Sequence, residues 1–525
     1  MSEEVSVGLI QLNEPSRRLI HDLEDKPSTA INRGELVHIT ENNQRAYEFY
    51  ERFRNAVQYR EQHLFLRNAI ERFLVRNWRL LGNTKDIGQS LISELVKTRY
   101  IDNDHVSQET LQIIDSLLFD YQKLLDGIHA QSSLSSGVED EIIEIASSEI
   151  DRLLVDRSRE EAYVHYVFHQ FLPRLDPLFY EDQPKQQVQF ALFSSVHRLL
   201  LRSDAARIRY YMFYSVFPDW RTTIEKTSIG YLDFSDTAKQ SIRGNTERSL
   251  SRVIRRKMAP YRLLLDVMQE DVSPSATLTN WNILESQLIH AASLAYRRIS
   301  ARTRRTIVRA IIFIVITKLS LALLIELPYD LIVHGQIGWL PLILNILFPP
   351  LFMVLISAGI KKPKKGNTTE LIQQISQALQ VAPESQKQIK PRENKSNYLF
   401  ASLYGFMFVV SIFLLAMWLF LLGFNIVSGL LFFLFFSTVS FFGMRITAMT
   451  REYTVVREKV GVLNVLFDIF YTPFVRIGQW LSDSYARFNV FTILLDVLVE
   501  LPFKSILALF DDWAKYLREK QDDLL

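Results

Sequence analysis

The sequence predicts an all-α protein in three parts: a cytoplasmic multi-helix bundle, a four-span α-helical membrane domain and amphipathic C-terminal helices. Three observations carry this expectation. Four apolar stretches, Ile307–Leu327, Leu340–Ile360, Phe400–Leu422 and Ile426–Met444, each approach the ~20 residues a helix needs to cross a bilayer's hydrocarbon core. The 525 residues hold only 18 Gly and 17 Pro in all, and few stretches alternate with period two, so helix dominates. The basic flanks of the apolar stretches all fall on one side, which fixes an orientation.

Composition narrows the function classes. A net charge of +2 gives no support to a specific nucleic-acid partner. With no cysteine, disulfides, zinc–thiolate centres, iron–sulfur clusters and thiol nucleophiles are excluded. No phosphate loop, dinucleotide fingerprint or nucleophile elbow occurs. The expectation is therefore no enzyme, with no catalytic, cofactor or metal residue nominated. The Met1-Ser-Glu-Glu-Val start has neither the basic region nor the apolar run of an export signal, so the N-terminal part is expected to stay where it is made.

Residues 1–296 form the predicted cytoplasmic domain. Residues 1–43 read as a short helix or strand followed by loop. Asn43–Leu81 has helical spacing of Tyr47, Phe53, Val57, Leu64, Phe73 and Trp78 and stops at Gly82. Ser107 is the expected N-cap of Glu109–Leu125. The Ser-rich stretch 131–137 is the expected hinge. A long helix over Val138–Phe171 should follow, then one from about Pro184 to Leu201, then one capped by Ser203 and ending before Pro218. Thr222–Ser241 loses the pattern and reads as loop or short irregular pieces. His165 and His169 have metal-ligand spacing with Glu161 one turn before, but no third ligand can be named and a core-edge role is preferred. Arg252, Arg255, Arg256, Lys257 and Arg262 form a basic cluster, read mainly as a solvated face or as salt-bridge partners, with lipid head groups as the other reading.

Residues 297–360 hold a basic belt and the first hairpin. Arg297, Arg298, Arg302, Arg304, Arg305 and Arg309 precede the first span without an acid among them. Residues 361–398 read as a basic linker and 399–444 as the second hairpin. The connections at Pro328–Trp339 and Gly423–Asn425 lack Lys and Arg, which predicts four spans with both termini cytoplasmic. The first hairpin is not clean. Lys318, Glu326, Asp330 and His334, together with Asn345, make an intramembrane polar seam, with Lys318 and Glu326 expected to face protein or water and not lipid. Pro349 and Pro350 are expected to kink or break the second span.

Residues 445–525 form the amphipathic tail. Asp468, Arg476, Asp496, Glu500 and Lys504 lie on a polar stripe amid apolar residues, and Pro473-Phe474 and Pro502-Phe503 give a weak repeat. Such helices lie at the membrane interface or pack on a bundle. The function these features predict is a non-enzymatic, multi-pass membrane scaffold or assembly protein; the alternative is an oligomeric ion or solute channel or transporter that uses the seam. Expected partners are the bilayer, anionic inner-leaflet lipids, and a second copy or other membrane-complex subunits. The expected location is the bacterial cytoplasmic membrane, with an organelle membrane as the other option.

Overall fold

The computed structural model describes residues 10–24, 35–39, 62–80, 87–131, 136–181, 183–270, 273–359, 365–391, 398–456 and 462–487. Among them helix dominates and no strand forms, apart from isolated bridges at Leu36–Ser107 and Leu175–Ile389. Three apolar cores organise these helices.

The first core lies in the N-terminal part of the chain. It packs α2 (Phe65–Leu74), α3 (Ile87–Lys97), α4 (Gln108–His129), α5 (Ser136–Leu154), α8 (Ala205–Val216) and α9 (Ile224–Arg243) around Tyr121, Phe213 and Trp220. Ser107 caps α4, its hydroxyl accepting from the Thr110 N–H at 3.3 Å. The second core gathers α1 (Glu14–Glu24), α6 (Ser158–Phe171), α7 (Lys185–Leu200), α10 (Asn245–Ile254), α11 (Ala259–Glu270) and the first turns of α12 (Trp281–Leu321).

Several expectations are corrected here. Helix 138–171 is two helices, because Asp156 takes the Ser158 N–H at 2.9 Å and Arg157 turns inward onto Asp151. Asp204, one residue past Ser203, caps α8 through the Arg207 N–H at 3.1 Å. The stretch 222–241, read as irregular, is mostly α9. Its buried face interleaves Tyr231, Phe234 and Ile242 with Thr227, Ser228, Ser235, Ala238 and Ser241, so its hydropathy signal is diluted. Small polar residues suit that face, since Ser235 donates to the buried Glu141 at 2.6 Å. Of the expected hinge, residues 132–135 lie outside the described residues, as do 43–61 of the expected first long helix.

The stretch 361–398 is more than a linker. Lys365–Gln380 forms α14, and Leu371, Ile375 and Leu379 bury in the second core beside α1. The Asn13 side chain holds the end of α14, donating to the carbonyls of Ala378 at 2.8 Å and Val381 at 2.9 Å. The chain thus leaves the second apolar helix, returns to the N-terminal domain, and only then enters the third.

Among the described residues, four helical stretches are long and apolar enough to cross a membrane: Trp281–His334, Trp339–Ala358, Tyr404–Leu421 and Ile426–Thr450. The first contains all of α12 and continues through Pro328 to His334, past the expected end at Leu327. Two π-helical turns, Ala322–Glu326 and Asp330–His334, flank that proline and absorb it. The chain reverses at Gly335, whose φ of +66° is the left-handed region that favours glycine. The second, α13 (Trp339–Ala358), runs unbroken through Pro349 and Pro350. Those prolines free the Asn345 and Ile346 carbonyls without ending the helix, as apolar packing of Phe348, Phe352 and Met353 holds both halves in one body. The third and fourth are α15 (Tyr398–Leu421) and α16 (Ile426–Thr450).

The tail begins with α17 (Val462–Arg487), which lies against α15 and α16. Phe470, Phe474 and Gly478 repeat every four residues along one face, and Phe474 is fully buried against Phe436. A Cβ on Gly478 would sit 2.2 Å from the Ser437 carbonyl oxygen, so the helices meet only because that position is glycine.

Candidate functional site

The polar residues inside the apolar domain converge. Lys318 on α12 and Glu326 on the following π turn are both 0% exposed, and Lys318 Nζ lies 2.9 Å from Glu326 Oε1. Eight residues of regular α-helix would turn the second side chain about 80° away from the first. The wider π turn Ala322–Glu326 removes most of that offset and puts both on one face. The Lys318 ammonium also sits 4.7 Å from the centre of the Phe435 ring on α16.

Asn345 on α13, likewise 0% exposed, links three helices. Its Nδ2 donates to Glu326 Oε1 at 2.6 Å and to the Ser428 carbonyl of α16 at 3.1 Å. Both neighbours are acceptors, so the amide can only point its nitrogen at them. Glu326 Oε2 and Asn345 Oδ1 remain without a hydrogen-bond partner in the interior.

Asp330, 4% exposed, forms the second half of the network. Its Oδ2 accepts from the Gly338 N–H at 3.1 Å and its Oδ1 from Asn425 Nδ2 at 2.6 Å. Asn425 in turn caps α16, with its Oδ1 accepting from the Ser428 N–H at 2.8 Å. One chain of contacts therefore runs Lys318–Glu326–Asn345–Ser428–Asn425–Asp330–Gly338 and stitches the first, second and fourth apolar helices together. Of the five seam residues, His334 stays out: it is exposed, with its ring 5.7 Å from Tyr329. Asn425, Ser428 and Phe435 belong to the network and were missed from sequence. Asn425 carried a usable signal, an N-cap residue directly before an apolar run.

The other nominated residues sit elsewhere. Arg297, Arg298, Arg302, Arg304, Arg305 and Arg309 are all exposed along α12, between the second core and the apolar domain. In the tail, Asp468 falls on α17, and Arg476 is exposed with its guanidinium 4.5 Å over the Tyr404 ring. Asp496, Glu500 and Lys504 lie outside the described residues. His165 and His169 lie on the outer face of α6, and partial burial of the His169 ring, with His165 adding repulsion, lowers the His169 pKa. No His, Asp and Glu group able to hold a metal occurs among the described residues.

A second polar constellation joins the N-terminal domain to the apolar one. Glu452, just past α16, takes Arg202 at 2.8 Å and Arg262 at 3.1 Å. Tyr453 donates its hydroxyl to Asp266 at 2.7 Å, and burial with that carboxylate pushes the phenol pKa up. Asn367 of α14 donates to the Tyr453 carbonyl at 2.7 Å and to the Tyr296 hydroxyl at 2.9 Å. Its Oδ1 accepts from the Val455 and Val456 N–H groups. Arg262, read from sequence within a basic cluster, is thus a salt-bridge partner. No protein-family model, curated protein or solved structure matches the chain.

Proposed function

We propose that the chain is a non-enzymatic membrane scaffold or assembly protein, whose helical N-terminal domain is held rigidly against a four-span anchor. The observation that carries this reading is the triple connection between the two parts. One unbroken helix, α12, passes from the second core into the apolar domain; α14 returns between the second and third spans to pack in that core; and Glu452 and Tyr453 are clamped at the end of the fourth. A rigid joint suits a platform that presents a surface at a fixed height above a bilayer.

The exposed arginine belt and the Lys- and Arg-free connections support an orientation with the N-terminal domain and both termini on the cytoplasmic side. The same belt suits anionic lipids of the inner leaflet, each cation near the surface contributing about 1 kcal/mol. A bacterial cytoplasmic membrane and assembly with a second copy or other subunits complete the proposal. In this reading the Lys318 network is an internal staple between spans.

One observation favours a channel or transporter instead: the unpartnered Glu326 Oε2 and Asn345 Oδ1 are the kind of acceptors a passing cation or proton would use. Flux through the purified protein in reconstituted vesicles separates the two. The scaffold reading expects ion flux equal to the leak of empty liposomes, with and without a potential. Flux above that leak, abolished by Lys318→Leu or Glu326→Leu, overturns it.

A further inference from the structure

One face of α17 is turned away from the helices it packs on, and it carries large apolar side chains. Ile469 is 38% and Trp480 64% exposed. Arg476 shares that face, because its spacings to Ile469 and to Trp480 are both close to whole helical turns. Asp483 is exposed two turns further on. An arginine on such a face raises the question of depth.

The depth follows from what α17 touches. Phe474 packs on Phe436 with ring centres 4.6 Å apart, and a Cβ on Gly478 would meet the Ser437 carbonyl. Phe436 and Ser437 lie near the middle of the 25-residue α16, about 15 Å along it from the turn it shares with α15. Arg476 sits between Phe474 and Gly478 and therefore leaves the backbone at mid-span height. Its guanidinium ends 4.5 Å over the ring of Tyr404 on α15. Tyr404 and Leu421 bound an 18-residue apolar stretch, which puts Tyr404 about 26 Å from the same turn. That end of α15 follows α14 and faces the N-terminal domain. The long side chain thus runs from the middle of the apolar layer towards its edge, as a snorkelling arginine does. Attraction to the ring is too weak to replace the hydration an arginine loses in an apolar layer. A second donor lies at the same place: among the described residues, the Tyr404 hydroxyl has no hydrogen-bond partner.

We propose that Arg476 and Tyr404 form a binding site for the phosphate of a phospholipid, in the leaflet on the side of the N-terminal domain. The inference rests on the reading that the four apolar helices span a bilayer, and it adds to the arginine belt a lipid site of defined depth. An apolar layer of ~30 Å measured from the α15–α16 turn has its far edge, where phosphates begin, just beyond Tyr404. A phosphate offers anionic oxygens to the guanidinium fork and to the phenol O–H together. Ile469 and Trp480 beside the arginine offer apolar surface to the acyl chains, which a free phosphate ion would not use.

Photolabelling tests the site. Full-length protein is reconstituted in nanodiscs with phosphatidylglycerol that carries a photoreactive group on its head group, and labelled peptides are identified by mass spectrometry. Label is expected on the α15 and α17 peptides around Tyr404 and Arg476, and on the α12 belt from Arg297 to Arg309. Arg476→Gln is expected to lower the α15 and α17 label about fivefold, the effect of one cation near a bilayer surface, and to leave the belt label unchanged. Arg476→Lys, which keeps a snorkelling charge, is expected to retain most of the label. Equal labelling of α15 and α17 in the wild type and Arg476→Gln overturns the proposal. So does label confined to the belt, the result expected if a second copy covers this face and sets its Asp483 against Arg476. Absence of label from the belt as well overturns the membrane reading itself, and the proposal with it.

Discussion

In the N-terminal domain Asp151 is 1% exposed and accepts from Arg157 through Nε at 2.9 Å and Nη2 at 3.1 Å, and from Arg207 at 2.9 Å. In the apolar domain Glu326 is 0% exposed and takes Lys318 and Asn345 on one oxygen, leaving the other bare. Both regions bury ionised groups completely, yet they satisfy them differently. The first uses arginine, whose planar fork reaches two oxygens at once and lets several charges share one carboxylate. The second uses a single lysine, a point charge that neutralises one acid and adds no net charge to a low-dielectric layer. Sharing between two arginines satisfies both oxygens of Asp151, while the lone Lys318–Glu326 pair is itself neutral and leaves Glu326 Oε2 bare.

The largest expected effect strikes the shared acid. Asp151→Ala leaves two buried guanidinium groups without their carboxylate and should cost about 3–5 kcal/mol of stability in denaturant or thermal unfolding. A loss under about 1 kcal/mol would mean that neighbouring acids take over, and the contrast between the regions would fade.

Next comes the lone pair. Lys318→Leu and Glu326→Leu should each destabilise by roughly 3 kcal/mol, whereas the double substitution should recover most of that loss. Single losses that simply add in the double variant would show that the two charges are not coupled.

A third effect belongs to the N-terminal domain alone. His197 is buried, stacked on Tyr211 with ring centres 5.0 Å apart, and burial, with Arg207 adding repulsion, lowers its pKa to about 3. The unfolded chain binds this proton below about pH 6.5 and the folded chain does not until about pH 3. Stability from this group is therefore complete above pH ~6.5 and falls by about 1.4 kcal/mol per unit as pH drops towards 3. Unfolding measured between pH 7 and 5 should show this slope, and His197→Phe should flatten it; an unchanged slope would assign the acid sensitivity elsewhere.

The smallest effect tests the far end of the seam. Asn425→Ala removes the cap of α16 and one of the two donors to Asp330, and should lower stability by about 1–2 kcal/mol. A Tm equal to that of the unaltered protein would place Asp330 outside the staple.

The long apolar helices were legible because a bilayer sets a length and a polarity that any apolar run of ~20 residues displays. Lys318, Glu326 and Asn345 were legible for a related reason, since charged and amide groups inside such a run are costly enough to stand out. The Ser107 cap was readable from local chemistry alone. By contrast, α9 was hard to read because Thr227, Ser228, Ser235 and Ser241 interleave with Tyr231, Phe234 and Ile242 on its buried face and dilute the apolar period. The helix in 365–380 was hidden by its basic flank, and its destination in the second core depends on contacts with Asn13, more than 350 positions away.

By itself the sequence determined the helical class, the four long apolar helices and the presence of charged and amide groups within them, since each follows from local length, polarity and helix propensity. Only the tertiary structure decided that Lys318 and Glu326 share a face and that Asn345 and Asn425 complete their network. Phase and pairing depend on π turns, on returning segments and on side chains distant in the chain, and no local pattern encodes where those come to rest.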